Sequence, residues 1–238
     1  MTRLQSLDAL APNTFPDPAE ALAEPNGLLA FGGDLSPQRL VGAYAHGIFP
    51  WYSEGDPLLW WSPDPRCVFA ADALHVSRSL RRFRRRCPWQ WSMDRAFERV
   101  MQECAAPRDG QQGTWITRDM LIAYTNLHLL GHAHSLEVWD GDELVGGIYG
   151  VVVGRMFCAE SMFSRRTNAS KIALLALARV LRERDVPWID AQVPNPHLLS
   201  MGARMLPRAL FLAELARLVR LPAPRDWPTG RIAVAEPA

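Results

Sequence analysis

The chain has 238 residues, 26 basic against 25 acidic side chains, and a formal net charge of +1. Balanced charge with nine Trp and nine Phe excludes a disordered chain, and the length allows one large or two small domains without disulfide or metal support. The longest apolar run, VGGIYGVVVG at 145–154, is strand-like and falls short of the roughly 18–20 residues of a membrane span. No apolar h-region follows the N-terminus, so the chain reads as cytoplasmic. Cys67, Cys87, Cys104 and Cys158 lack metal spacing and read as reduced, buried thiols.

Residues 1–68 are punctuated by FPDP, EPNG, GGDLSP, GIFPWY and SPDP, which limits them to short elements joined by turns. The first helix is expected after Ser36-Pro37, a cap followed by a favoured first helical residue, and should stop at Gly47. This stretch reads as a small N-terminal α/β domain over 1–68, with 69–238 as a second domain. A helix through 77–86 carries six Arg in RSLRRFRRRC. Another is expected over 94–105, opened by Asp94, and a third from Arg118 to Gly131, with a polar loop at 106–113 between them. Asp140-Gly141 and Gly154-Arg155 mark two turns of an antiparallel meander. A helix over 168–184, capped by Asn168 or Ser170, a short strand PWIDAQV and a helix after Pro207 complete the chain. The class is α+β, and the order of the second domain is that of a GNAT-type acyltransferase.

Asp190 and Gln192 in IDAQ stand two apart on a strand, so both project to one face. Glu160, placed at the end of the strand before helix 168–184, reaches the same sheet edge. On spacing alone the alternative is a turn-capping Asp190 and a solvated Gln192. The loop SRRTNASK at 164–171 has no glycine, whereas a pyrophosphate cradle for CoA needs closely approaching backbone N–H groups; no cofactor is expected. Arg165, Arg166 and Lys171 remain candidates for another phosphate. His128, His132 and His134 lack a completing carboxylate, so no metal is implied. Arg78, Arg81, Arg82, Arg84, Arg85 and Arg86 repel one another at helical spacing, which favours contact with nucleic-acid phosphate over a purely solvated face.

LAFGGDLSP (29–37), GIFPWY (47–52), LWWSPDPR (59–66), GTWITR (113–118), GHAHSLEVW (131–139), ELVGGIYG (143–150), ESMFS (160–164), NASK (168–171) and DAQVPN (190–195) occur in one order. In that order the chain resembles the bacterial leucyl/phenylalanyl-tRNA–protein transferases, over roughly residues 14–210. The resemblance implies transfer of Leu or Phe, less readily Met, from aminoacyl-tRNA to the α-amine of proteins beginning with Arg or Lys, which marks them for N-degron proteolysis. It also implies a GNAT-like catalytic domain. Asp190 and Gln192 are then the catalytic pair, with Glu160 helping to hold Gln192; since an α-amine near 7.7–8.0 needs no strong base, Asp190 is expected to orient the incoming amine and to accept a proton late. Trp115 would stack on the 3′-terminal adenosine, while Tyr44, Trp51, Tyr124 and Asn195 line the aminoacyl-adenosine site. Phe157 and Met162 belong to the donor side-chain pocket, as do Ile148 and Leu177, where the family usually has Met and Phe. The Arg helix matches a segment for the acceptor stem. A CoA-dependent N-acetyltransferase and a non-catalytic tRNA-binding module are the alternatives.

Replacing Arg81, Arg82 and Arg85 by Gln is expected to flatten the salt dependence of tRNA binding, by a log–log slope of about 0.7–0.9 per lost phosphate contact. Filter binding between 50 and about 200 mM salt checks this; an unchanged slope returns the stripe to solvent.

Overall fold

The computed structural model describes residues 4–107 and 114–235, so most of the loop expected at 106–113 lies outside the described residues. A four-stranded sheet forms first, from β1 (Gln5–Ser6), β2 (Leu28–Phe31), β3 (Phe49–Pro50) and β4 (Leu59–Trp61), in the order β1-β2-β4-β3. Between β2 and β3 runs α1 (Pro37–Ala45), whose Ser36 hydroxyl accepts the Arg39 N–H at the cap while Pro37 opens the first turn.

The second sheet takes β5 (Arg66–Ala70), β6 (Gln90–Met93), β7 (Ala133–Asp140), β8 (Glu143–Val153), β9 (Met156–Ser164), β10 (Trp188–Gln192), β11 (Arg204–Leu206) and β12 (Ile232–Ala233). Their order is β11-β5-β10-β9-β8-β7-β6-β12, and every neighbouring pair is antiparallel except β9 with β10. The α+β class with a mostly antiparallel sheet is thus the observed one. The expected boundary at 68/69 falls inside β5, which belongs wholly to the larger sheet.

Both faces of this sheet are covered, which is why β8 is buried along almost its whole length rather than alternating. On one face lie α3 (Phe97–Ala105) and α4 (Arg118–Leu129), together with α1. Their core joins Leu40, Tyr44, Met101, Tyr124 and Tyr149 to Phe211 of α7 (Arg208–Leu218). On the other face α5 (Ala169–Arg182) packs Ile172, Leu174 and Leu177 against Ile148, Phe157 and Ile189. The basic helix α2 (Arg78–Arg85) joins that side through Leu80 and Phe83, the latter edge-on to Trp89 at 5.2 Å. Parallel strands need a crossover, and α5 supplies it between β9 and β10.

Two helix starts differ from the sequence reading. The helix expected at Asp94 begins at Phe97, because Asp94 adopts φ 55° and its carboxylate is occupied elsewhere, by the Ser135 N–H at 2.8 Å and His134 Nδ1 at 2.7 Å. Neither Asn168 nor Ser170 caps α5: Asn168 is left-handed at φ 74° and makes no capping bond, and the Ser170 N–H donates to the Ser164 hydroxyl instead. All four cysteines are buried. No described helix is long and apolar enough to cross a membrane.

Glu137 on β7 is fully buried and accepts from the Ser92 and Ser135 hydroxyls. Burial nevertheless pushes its carboxyl up to about 7. The folded chain therefore keeps a proton that the unfolded chain releases near 4.5, and stability falls as pH rises from about 4.5 to about 7. Glu137→Gln is expected to remove that component, so its melting temperature should drop less than wild type between pH 5 and about 8. Parallel calorimetry of the two proteins checks it; identical pH slopes contradict it.

Candidate active site

The site forms where β9 and β10 part company. They pair in parallel at Trp188 with Met156, Ile189 with Phe157 and Asp190 with Cys158, and no further. At that point each strand carries an irregularity. In β9 the register against β8 jumps from Gly150–Ala159 to Tyr149–Ser161, leaving Glu160 as the extra residue of a bulge. In β10 the register against β5 jumps between Asp190 and Gln192, and Gln192 has φ 58°. A left-handed non-glycine residue costs about 1–2 kcal/mol and needs its surroundings to impose it.

Glu160 and Gln192 bridge the gap with side chains where the ladder has stopped. The Gln192 Nε2 donates to Glu160 Oε1 at 2.7 Å, and the Tyr124 hydroxyl on α4 donates to Glu160 Oε2 at 3.2 Å. The Tyr124 hydroxyl also meets that of Tyr44 on α1 in a short hydrogen bond. An amide that gives its N–H to a carboxylate must present its carbonyl oxygen on the other side, so Glu160 orients the Gln192 amide. Burial pushes the Glu160 carboxyl up to about 7, against the downward pull of hydrogen bonds from Tyr44, Gln192 and Tyr124. Burial likewise holds the Tyr44 and Tyr124 phenols well above their ordinary range, so both are donors, not phenolates. Glu160 keeps a partly exposed edge, unlike the residues beneath it.

Asp190 is placed differently from the sequence reading. It is fully buried, and both of its oxygens are taken by Arg66, through Nε at 2.8 Å and a terminal nitrogen at 2.7 Å. Its Oδ1 also accepts the Gln192 backbone N–H at 3.0 Å. The carboxylate faces Arg66 and the bulge rather than an open space for an amine. Strand alternation does not bring Asp190 and Gln192 together; the bulge and this N–H do. Glu160 likewise lies in the middle of β9, not at its end.

The bulge in β9 has a second effect. Phe157 and Met162 are five residues apart and would face opposite sides of a regular strand. The extra residue returns Met162 to the α5 face, directly opposite Ile148 and in the same apolar cluster as Phe157 and Leu177. The four apolar residues expected to receive the donor side chain therefore gather on one face of the sheet, and the Tyr44–Tyr124–Glu160 chain on the other. Trp115 is half-buried two residues before Thr117, the α4 cap, whose hydroxyl meets that of Tyr52 at 3.2 Å. Trp51 is 42% exposed on the loop after β3. Asn195 caps α6 (Pro196–Ser200) by accepting the Leu198 N–H at 2.9 Å.

Arg78, Arg81, Arg82, Arg85 and Arg86 are exposed and Arg84 half-buried, and among the described residues no acid pairs with any of the six. Arg165 and Arg166, by contrast, are engaged: Arg165 grips Glu103 at 2.6 and 2.7 Å, and Arg166 meets Asp140 and Glu143. Sequence reasoning missed Arg66 and Tyr149. Arg66 left one signal, a lone charge opening the apolar strand RCVFA. Tyr149, whose buried hydroxyl has no hydrogen-bond partner among the described residues, left none.

A carboxyl raised to about 7 and hydrogen-bonded to a side-chain amide, at a parting between parallel strands, is an arrangement that fits acyl transfer with movement of one proton. The family described as Leucyl/phenylalanyl-tRNA protein transferase matches residues 68–216, and its N-terminal domain matches residues 33–64. A Xanthomonas euvesicatoria protein named Leucyl/phenylalanyl-tRNA--protein transferase is 61% identical over 211 residues, covering 88% of this chain and 84% of that one. One of the same name from Shewanella baltica is 52% identical over 219 residues, 92% of each chain. The chain belongs to the leucyl/phenylalanyl-tRNA–protein transferase family.

Because the Tyr124 hydroxyl holds the Glu160 carboxyl down, Tyr124→Phe is expected to move its titration midpoint upward from about 7. Carboxyl-carbon NMR, assigned against Glu160→Gln, reads the shift; a midpoint near 4.5, the ordinary carboxylate value, would contradict the buried reading.

Proposed function

We propose that the protein transfers Leu or Phe, and less readily Met, from aminoacyl-tRNA to the α-amine of proteins beginning with Arg or Lys, in the cytoplasm, and so marks them for N-degron proteolysis. The observation that carries this reading is the Glu160–Gln192 pair at the parting of β9 and β10, in a chain of this family. The single parallel pair β9–α5–β10 in an otherwise antiparallel sheet supports a GNAT-like second unit. The division of strands between two sheets, with β4 ending at Trp61 and β5 starting at Arg66, supports a small N-terminal unit before it that ends at about 62–65, a few residues short of 68.

The donor ester is already activated, so positioning supplies much of the rate. The acceptor α-amine has a pKa near 7.7–8.0, and a tenth or more is neutral at pH 7. Its nitrogen attacks the ester carbonyl carbon; the C–N bond forms, and the bond to the terminal ribose oxygen breaks. The Gln192 carbonyl oxygen accepts a hydrogen bond from the attacking nitrogen and aligns it. Once the nitrogen has bonded it becomes acidic, and Glu160, balanced near 7, takes the proton and returns one to the departing ribose oxygen. Asp190 acts through Gln192, whose backbone N–H it accepts. Trp115 would stack on the terminal adenosine, with Tyr44, Trp51, Tyr124 and Asn195 around the aminoacyl-adenosine. Ile148, Phe157, Met162 and Leu177 would receive the donor side chain, and a pocket of this kind separates side chains differing by one methylene by only about 1–3 kcal/mol. The unpaired Arg residues of α2 would meet tRNA phosphates.

Purified protein mixed with radiolabelled Phe-tRNA and peptides beginning with Arg, Ala or acetylated Arg tests this. Label is expected only in the free Arg peptide, at a rate that rises with pH through about 7 as Glu160 ionises. Folded protein that binds the charged tRNA yet labels no peptide would reduce the reading to tRNA binding.

A further inference from the structure

The Arg66 side chain is consumed on every side. Its fork takes both Asp190 oxygens at 2.8 and 2.7 Å, its remaining terminal nitrogen donates to the Gly47 carbonyl at 3.1 Å, and its carbon lies over the Phe49 and Phe211 rings at 4.8 and 4.7 Å. It is 1% exposed and each of its three nitrogens already donates to a protein oxygen, so it is not placed to meet substrate. It ties the loop before β3, β3 itself and α7 to one carboxylate of β10. That carboxylate in turn accepts the N–H of Gln192, the residue held at φ 58°. A buried carboxylate deprived of its counter-charge takes up a proton or moves toward water, and either change weakens its hold on that N–H.

We propose that Arg66 is a positioning residue for the transfer reaction: it fixes the Asp190 carboxyl group as acceptor of the Gln192 N–H, and so the bulge that presents the Gln192 amide. This rests on the aminoacyl-transfer reading above. A compact lysine cannot serve both oxygens, since only the planar guanidinium matches a carboxylate with two parallel N–H groups. Arg66→Lys therefore keeps the charge and loses the geometry, whereas Arg66→Met loses both.

The test compares wild type, Arg66→Lys, Arg66→Met, Asp190→Asn and the double variant Arg66→Met/Asp190→Asn. Three readouts are taken on folded protein: single-turnover transfer of Phe from Phe-tRNA to an Arg-initiated peptide, the Kd for Phe-tRNA, and hydrogen exchange of the Gln192 backbone amide by NMR. We expect Arg66→Lys to transfer about ten-fold or more slowly, a typical cost of misplacing an aligning group, with its Kd changed by less than about three-fold. The Gln192 amide should exchange faster while core amides such as Val151 stay protected. The double variant should be no slower than the slower single variant, because groups acting as one unit lose their effect once. Should Arg66→Met fail to fold, Arg66→Lys alone decides. A wild-type transfer rate in Arg66→Lys, an unchanged Gln192 amide, or losses that multiply in the double variant would each overturn the proposal and leave Arg66 a staple of the fold. If wild type transfers nothing, the aminoacyl-transfer reading fails, and the Gln192 amide still reports whether Arg66 holds the bulge.

Discussion

A buried ion pair, Arg66 with Asp190, is the constraint on which the centre of this molecule depends. Such pairs contribute little net stability compared with well-packed apolar residues, but losing one partner costs about 3–5 kcal/mol. What the pair contributes is geometry. It requires β3, β5, β10 and α7 to converge on one point, and Asp190 there becomes the acceptor for a backbone N–H in a left-handed residue. The Gln192 amide is held by the fold rather than by its own conformational preference.

Around that point the sheet is built to open. Regular pairing of β9 with β10 ends at Cys158 and Asp190, and each strand then bulges. Gly150 permits the β9 bulge, because a Cβ there would lie 2.2 Å from the Cys158 carbonyl oxygen. The same bulge turns Glu160 toward Tyr44 and Tyr124 and returns Met162 to the α5 face. One local irregularity thus separates a polar face, with Glu160 and the two tyrosines, from an apolar face that carries Met162, Phe157 and Ile148. Burial raises the Glu160 carboxyl to about 7.

The charges of the chain are divided in the same way. Around the start of α5, Arg165 and Arg166 pair with Glu103, Asp140 and Glu143, which leaves less net positive charge there. Those of α2 have no acidic partner among the described residues. A near-neutral chain can therefore present one basic face without a basic composition.

Much was legible in the residues. Ser36-Pro37, Gly131, Asp140-Gly141 and Gly154 act through their own backbone preferences, so the elements they bound appear where local chemistry puts them. The identities Glu160, Asp190 and Gln192 were legible as well, because polar residues inside apolar strands must have partners. Their partners were not. Asp94 and Asn168 read as helix caps, yet both adopt left-handed conformations, and the Asp94 carboxylate binds Ser135 and His134 instead. Asp190 read as facing a substrate, and Arg66, 124 residues away in sequence, claims it. Sequence alone determined the element order, the family and the chemistry-bearing residue types, since these depend on local propensity and composition. Which carboxylate is locked and which is left near neutrality was decided only by the tertiary structure, because burial and counter-charge are properties of neighbours that the chain brings together from far apart.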